Sequence, residues 1–89
     1  MPTFNKDPEA VLDYSFDWTA WLAPGETIVS YVLTIPGGIT KTSDGEAGGV
    51  VTFWLSGGLA NTRYRIECLI VTSDDRADER SISIKVVDR

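Results

Sequence analysis

An all-β fold, as a single immunoglobulin-like or fibronectin III-like antiparallel β-sandwich of about seven strands, is the architecture that this sequence predicts. Apolar and polar residues alternate in several runs, turn signals recur roughly every 8–12 residues, and no run keeps the period of a helix. A length of 89 residues leaves room for one domain with one core. We divide the chain into an N-terminal arm, residues 1–10, and a sandwich domain, residues 11–89.

The arm contains Pro2 and Pro8 and shows little periodicity. It is therefore predicted to be partly ordered, or ordered only on a partner. Phe4 and Pro8 are its candidate contact residues, and strand addition to the sheet edge of a neighbouring chain is one way in which it could bind.

The first predicted strand begins at Val11 and has a clear period of two. One face of this strand carries Leu12, Tyr14, Phe16 and Trp18, and the other face carries Asp13, Ser15 and Asp17. A tight turn fits residues 19–22, and residues 23–26 carry a Pro-Gly turn signal. Residues 27–35 are rich in β-branched and aromatic side chains, which favours a central strand.

The second half of the chain continues the pattern of short strands and turns. The predicted segments are an edge strand at 39–42, a loop at 43–49, strands at 50–55 and 62–72, a charged hairpin loop at 74–79 and a last strand at 81–87. The core faces are predicted to be Val51, Phe53 and Leu55 in one strand, and Tyr64, Ile66, Cys68 and Ile70 in the longest one.

One short segment points to a particular kind of sandwich. Residues 59–64 resemble the tyrosine corner of Ig-like domains, with Leu59 preceding a Thr62-x-Tyr64 pair at the start of the penultimate strand. In such a corner the tyrosine hydroxyl bonds back to the loop and holds the crossover between the sheets. The alternative is that Tyr64 is a core aromatic residue only.

Composition argues against several classes of function. The net charge of −5 disfavours contact with nucleic acid or anionic membranes, and no apolar run is long enough to span a membrane. Histidine is absent, so a Ser-His-Asp triad cannot form, and no cofactor motif is present. We therefore expect no enzyme and no cofactor. A single cysteine and no signal peptide indicate synthesis in a reducing cytoplasm.

Two features could suggest a metal site or a reactive thiol, and the sequence favours neither. The acidic run at 74–79 contains Arg76 and is followed by Arg80, and it lacks the spacing of a calcium loop, so a solvated loop is expected. Cys68 lies in an apolar strand and is expected to be a small buried hydrophobic residue.

The tryptophans are the main candidates for contacts with a partner. Trp18 and Trp21 flank the predicted tight turn, and Trp54 lies on the strand face opposite Phe53. Exposed tryptophans serve as protein contacts or as stacking platforms for sugars, whereas buried ones would plug the ends of the sandwich. Asp13 and Asp17 share the polar side of the first strand and are candidates for a partner-facing edge.

Four segments together resemble the bacteriophage fibre-tail adaptor family, whose members are small virion proteins of tailed phages. They are residues 6–22, which begin KDP and end DWTAWL, residues 25–28 (GETI), residues 51–58 (VTFWLSGG) and residues 74–81 (DDRADERS). Asp75 stands where the family hairpin has a glycine.

The resemblance implies a structural protein located in the virion. It would join tail fibre or receptor-binding proteins to the tail, and its partners would be other tail, fibre or neck proteins and copies of itself in a ring. A head-decoration or neck protein is the alternative within the particle. A carbohydrate-binding Ig-like module that uses its tryptophans is the alternative of another class.

Overall fold

The computed structural model describes residues 2–88, which form seven strands and, within that range, no helix. The strands are β1 (Thr3–Lys6), β2 (Leu12–Asp17), β3 (Ile28–Thr34), β4 (Ile39–Ala47), β5 (Val50–Gly57), β6 (Thr62–Thr72) and β7 (Ala77–Val86). One sheet has the strand order β1-β7-β6-β3 and the other β2-β5-β4. β3 thus lies at the edge of its sheet, which corrects the expectation of a central strand over residues 27–35. Over residues 2–88 no helix is long and apolar enough to cross a membrane.

The core lies between the two sheets and is built by alternate residues of each strand. The predicted inward faces of β5 and β6 are confirmed, since all of their members are buried: Val51, Phe53, Leu55, Tyr64, Ile66, Cys68 and Ile70. β7 contributes Ile82, Ile84 and Val86. Because successive side chains of a strand point to opposite faces, a period of two in the sequence is enough to identify this core.

The strand pairs are antiparallel except for β1, which runs parallel to β7. Backbone hydrogen bonds of 2.8 Å from Ser83 N–H to the Pro2 carbonyl and from Val87 N–H to the Lys6 carbonyl hold β1 in place. Residues 3–6 therefore belong to the sandwich, so this part of the predicted arm is ordered on its own chain and not only on a partner. They lacked a readable period because the strand has only four residues, three of them exposed.

Lys6 is the residue that anchors β1. Its side chain is fully buried, and its Nζ donates hydrogen bonds to the Gly57 carbonyl at 2.7 Å and to the Asp7 carbonyl at 3.0 Å. Burial lowers the pKa of the Lys6 ammonium group. Because Gly57 ends β5 in the opposite sheet, Lys6 links the two sheets at this end of the molecule.

Two strands are longer than their sequences suggest. β4 continues to Ala47 through residues predicted as a loop, and the chain reverses at Gly48 and Gly49, whose φ angles are +59° and +89°. β7 already begins at Ala77, inside the predicted hairpin loop. The polar and glycine residues of these extensions are typical of loops, and they are held in strands by the ladders to β5 and β6.

The predicted tyrosine corner is present. The Tyr64 hydroxyl accepts a hydrogen bond of 2.9 Å from the Leu59 N–H, and the ring is buried. The Thr62 hydroxyl lies 3.5 Å from the Ala60 carbonyl in the same corner. A β-carbon at Gly38 would lie 3.1 Å from the tyrosine hydroxyl oxygen, so the ring also packs closely against the β3–β4 connection.

Replacing Lys6 by alanine is expected to lower the free energy of unfolding by about 2–4 kcal/mol, since it opens a cavity and leaves the Gly57 carbonyl without its buried donor. Urea denaturation followed by tryptophan fluorescence measures the loss. Asn5→Ala, at an exposed position of the same strand, is the matched control and should change the stability by less than about 0.5 kcal/mol. Equal effects of the two substitutions would contradict the anchoring role.

Candidate interaction surface

Trp18 and Trp21 form a tight turn at one end of the sandwich. The Trp21 and Leu22 N–H groups donate to the Trp18 carbonyl at 2.9 and 3.0 Å, as predicted for residues 19–22. Asp17 caps the turn by accepting from the Thr19 N–H at 3.0 Å and from its hydroxyl at 2.6 Å. These bonds, that from the hydroxyl first, lower the pKa of the Asp17 carboxyl group.

Two arginines from the β6–β7 hairpin and β7 cover these tryptophans. The Arg76 guanidinium carbon lies 4.0 Å from the centre of the Trp21 ring, and that of Arg80 lies 4.2 Å from the Trp18 ring. The two rings contact each other edge to face at 5.5 Å. Each cation–π contact stabilises the fold by about 0.5–2 kcal/mol, depending on how far it is removed from water.

The Glu26 carboxylate lies at the centre of this end of the molecule. It accepts hydrogen bonds from the Ala23 N–H at 2.8 Å and from the Thr72 hydroxyl at 2.5 Å. Arg76 binds it in a bidentate manner, through Nε at 2.9 Å and through Nη2. Its side chain is buried. The bonds from Arg76, and then that from Thr72, lower the pKa of Glu26 to about 2, so the group stays ionised.

The hairpin that carries Arg76 keeps its shape although it lacks the family glycine. Asp75 has a φ of +58°, which is the left-handed conformation that a glycine would adopt there. Aspartate tolerates this conformation better than most residues do. The Asp75 N–H donates to the Thr72 carbonyl at 3.0 Å, and the Thr72 N–H donates to the Arg76 carbonyl at 2.8 Å, which closes the turn.

This cluster is internal to the fold, which changes the interpretation of two candidate contact residues. Trp18 is 0% exposed, so its side chain cannot reach a partner and belongs to the core. Trp21 is half-buried under Arg76. The ring of Trp18 continues the inward face on which Phe16 is buried, as the period of two placed it, and Arg80 covers it.

Trp54 has the opposite environment. It is 41% exposed on the outer face of the three-stranded sheet, where Asp13 of β2 and Ser43 of β4 lie directly across from it. We call this surface the Trp54 face and define it by the outward residues of the three strands: Asp13, Ser15, Asp17, Ser43, Gly45, Ala47, Val50, Thr52 and Trp54.

A shallow groove of about 470 Å³ runs along the Trp54 face over β4 and β5. It exists because the outward residues of β4, namely Ser43, Gly45 and Ala47, are all small and leave space beside the Trp54 ring. The carboxylates of Asp13 and Asp17 lie along the β2 side of the face, and Asp44 and Glu46 of β4 also line the groove. Arg80 donates to the Asp17 carbonyl at 3.0 Å. This arrangement can accept an extended or cationic group.

The remaining predicted contact residues lie elsewhere. Phe4 of β1 is 41% exposed, and its ring centre lies 5.5 Å from that of Tyr14 in β2. Pro8 is half-buried in the turn that follows β1. The structure therefore brings together Trp54, Asp13 and Asp17 on one face and separates them from Phe4 and Pro8.

No group of three or more metal-ligating side chains occurs among residues 2–88. Burial raises the pKa of the Cys68 thiol to about 11, so it is not a thiolate at neutral pH.

Sequence reasoning missed Lys6, Glu26, Arg76 and Arg80 as individual functional residues. All four occur in the segments that resemble the phage family, and that grouping was the available signal. Hydrophobic periodicity could not identify them, because it concerns near neighbours in the chain. Lys6 bonds to Gly57 and Glu26 bonds to Arg76, and these partners are 50 or more residues apart.

The fold and the internally bonded cluster define an Ig-like all-β domain. Among solved structures, the PKD domain from the KIAA 1837 protein matches with a TM-score of 0.56 at 15% identity, over 99% of this chain and 80% of that chain. At this identity the likeness concerns the fold. No curated protein matches the chain.

The particular family follows from the sequence match. Residues 6–85 match the model of the family described as "Podophage GP4 fiber-tail adaptor protein gp77". Because the match spans nearly the whole chain, the chain belongs to this family of phage fibre-tail adaptors.

The ionised state of Glu26 predicts a characteristic loss of stability in acid. Its pKa is about 2 in the folded protein, against an ordinary value of 4.5, so its contribution is complete above about pH 4.5 and is lost as the pH falls towards 2. Glu26→Gln should be less stable than the wild type at pH 7, and the difference should shrink between pH 4.5 and 2.

Urea denaturation at several pH values from 7 to 2 measures this difference. Glu79→Gln, at an exposed position of β7, is the control and should stay close to the wild type throughout. A difference between Glu26→Gln and the wild type that is constant over this range would show that the carboxylate charge is not what stabilises the cluster.

Proposed function

We propose that this protein is a non-catalytic structural adaptor that joins tail fibre or receptor-binding proteins to the tail of a phage particle. The observation that carries the proposal is the family match over residues 6–85. Family membership implies a virion component, and synthesis in the host cytoplasm followed by assembly into the particle completes the proposal.

The contacts within the chain are consistent with a rigid connector. The bonds of Glu26 and Arg76 at one end and of Lys6 at the other are satisfied within one chain, which leaves the outer faces of both sheets available for partners. An adaptor needs extended surfaces of this kind on opposite sides and no active site.

We further propose that its partners are other tail, fibre or neck proteins together with copies of itself arranged in a ring. Such a ring forms when each copy uses two different surfaces and the rotation from one copy to the next closes around an axis. Contacts with nucleic acid or membrane are not part of the proposal, in keeping with the net charge of −5.

Immunogold electron microscopy on intact particles of the encoding phage tests the location. Label at the tail or at its junction with the fibres is the expected result. Label over the head shell would contradict the adaptor role and favour a head-decoration protein, and label at the head–tail junction alone would favour a neck protein. Particles produced by a phage that lacks the gene, without complementation, provide the control for antibody specificity, because they carry none of the protein.

The exposure of Trp54 beside Asp13 supports one alternative of another class, a carbohydrate-binding module, since sugars stack on such rings. Titration of the purified protein with glycans, followed by tryptophan fluorescence, distinguishes the two functions. The adaptor proposal expects no change. A saturable change that disappears in Trp54→Thr would instead support sugar binding.

A further inference from the structure

Trp54 differs from the other two tryptophans in one respect. Trp18 and Trp21 each have an arginine stacked on the ring, at 4.2 and 4.0 Å, whereas among residues 2–88 no cation lies over Trp54. The neighbouring carboxylate of Asp13 is exposed and has no hydrogen-bond or ion-pair partner in the described part of the chain. An aromatic ring with a carboxylate beside it attracts a guanidinium group by both its π face and its charge.

The chain carries complementary charges on its opposite side. Arg63 and Arg65 of β6 lie on the outer face of the four-stranded sheet. They alternate along the strand with Tyr64 and Ile66, which are buried, so their side chains point away from the core. Lys85 of β7 lies directly across from Arg63. We call these three residues the basic patch.

Part of the positive charge of the basic patch is not paired within the described residues. Arg65 is paired with Glu67 at 3.1 Å, whereas Arg63 is exposed and makes no ion pair among residues 2–88. The patch therefore carries three positive charges with one neighbouring carboxylate. The outward residues of the Trp54 face include two carboxylates, and Arg80 lies near that of Asp17 but not near that of Asp13.

The two surfaces also lie at the same level of the molecule. Trp54 is three residues before Gly57, the end of β5, and Arg63 and Arg65 are the second and fourth residues of β6. Residues 58–61 connect these two strand ends, so Trp54 and Arg65 each lie roughly 10 Å from the same end of the sandwich. A second copy displaced sideways, across the thickness of the sandwich, would bring its basic patch over Trp54.

We propose that the Trp54 face binds the basic patch of a second copy of this chain, with an arginine stacked on Trp54 and paired with Asp13. The contact joins different surfaces of the two copies, so it can repeat around an axis. The proposal rests on the proposed ring of copies and assigns the surfaces that form it. Each face offers only a few hundred Å², by the approximate dimensions of three short strands, so a single contact is expected to be weak.

Sedimentation velocity of the purified chain, from micromolar to about millimolar concentration, tests this assignment. The wild type should self-associate reversibly, and more weakly at high salt, since exposed charges are screened. Asp13→Lys and Arg63→Glu should each weaken the association by about tenfold or more, because each replaces an attraction by a repulsion. Asp74→Lys makes the same change of charge at an exposed position of the β6–β7 hairpin, beyond the end of β6 that is far from Arg63, and should associate as the wild type does.

Mixing the two variants gives the decisive result. Asp13→Lys retains an intact basic patch and Arg63→Glu retains an intact Trp54 face, so the mixture should associate where each variant alone does not. The opposite charges introduced by the two substitutions also attract each other, so the mixed complex can grow beyond a heterodimer. Thermal unfolding of each variant near that of the wild type verifies that both are folded.

Three results would overturn the proposal: a wild type that stays monomeric at millimolar concentration, association that neither variant weakens, or a mixture of the two variants that does not associate. The first would assign the Trp54 face to another virion protein. The measurement uses only the purified chain, so its outcome is independent of the immunogold result on the adaptor role.

Discussion

The buried carboxylate of Glu26 is the interaction on which one end of this protein depends. It joins the turn at Ala23, the end of β6 at Thr72 and the hairpin residue Arg76, which in turn covers Trp21. A carboxylate removed from water is costly unless it is paired and hydrogen-bonded, and here its bonds with charged and neutral donors meet that requirement. The geometry of three separate segments is thus linked to one ionised group.

At the opposite end of the sandwich, the buried ammonium group of Lys6 links separate segments of the chain, as Glu26 does at its end. Lys6 crosses from β1 to the carbonyl of Gly57 in the other sheet, and Tyr64 closes the connection between the sheets by its bond to Leu59. With one cysteine in the chain, no internal disulfide can join the sheets. In a domain of 89 residues, where the core is small, polar links of this kind add the constraints that a disulfide would otherwise supply.

The family segments therefore have two different roles. The DWTAWL and DDRADERS segments meet at the Glu26 end and are used within the fold, where Arg80 and Arg76 stack on Trp18 and Trp21. The WLSGG segment is divided: Leu55 is in the core, Gly57 receives Lys6, and Trp54 faces outward. Resemblance to a family identifies such residues together, but it does not separate those that stabilise the fold from those that face a partner.

The sequence by itself determined the all-β class, the inward faces of β5 and β6 and the tyrosine corner, because a period of two and local turn chemistry act between near neighbours. The tertiary structure alone decided that residues 3–6 pair with β7, that β4 extends to Ala47 and that Arg80 and Arg76 cover Trp18 and Trp21. These outcomes depend on contacts between residues far apart in the chain. For example, the register of β2 and β4 on β5 places Asp13 and Ser43 beside Trp54, and no local pattern contains that information.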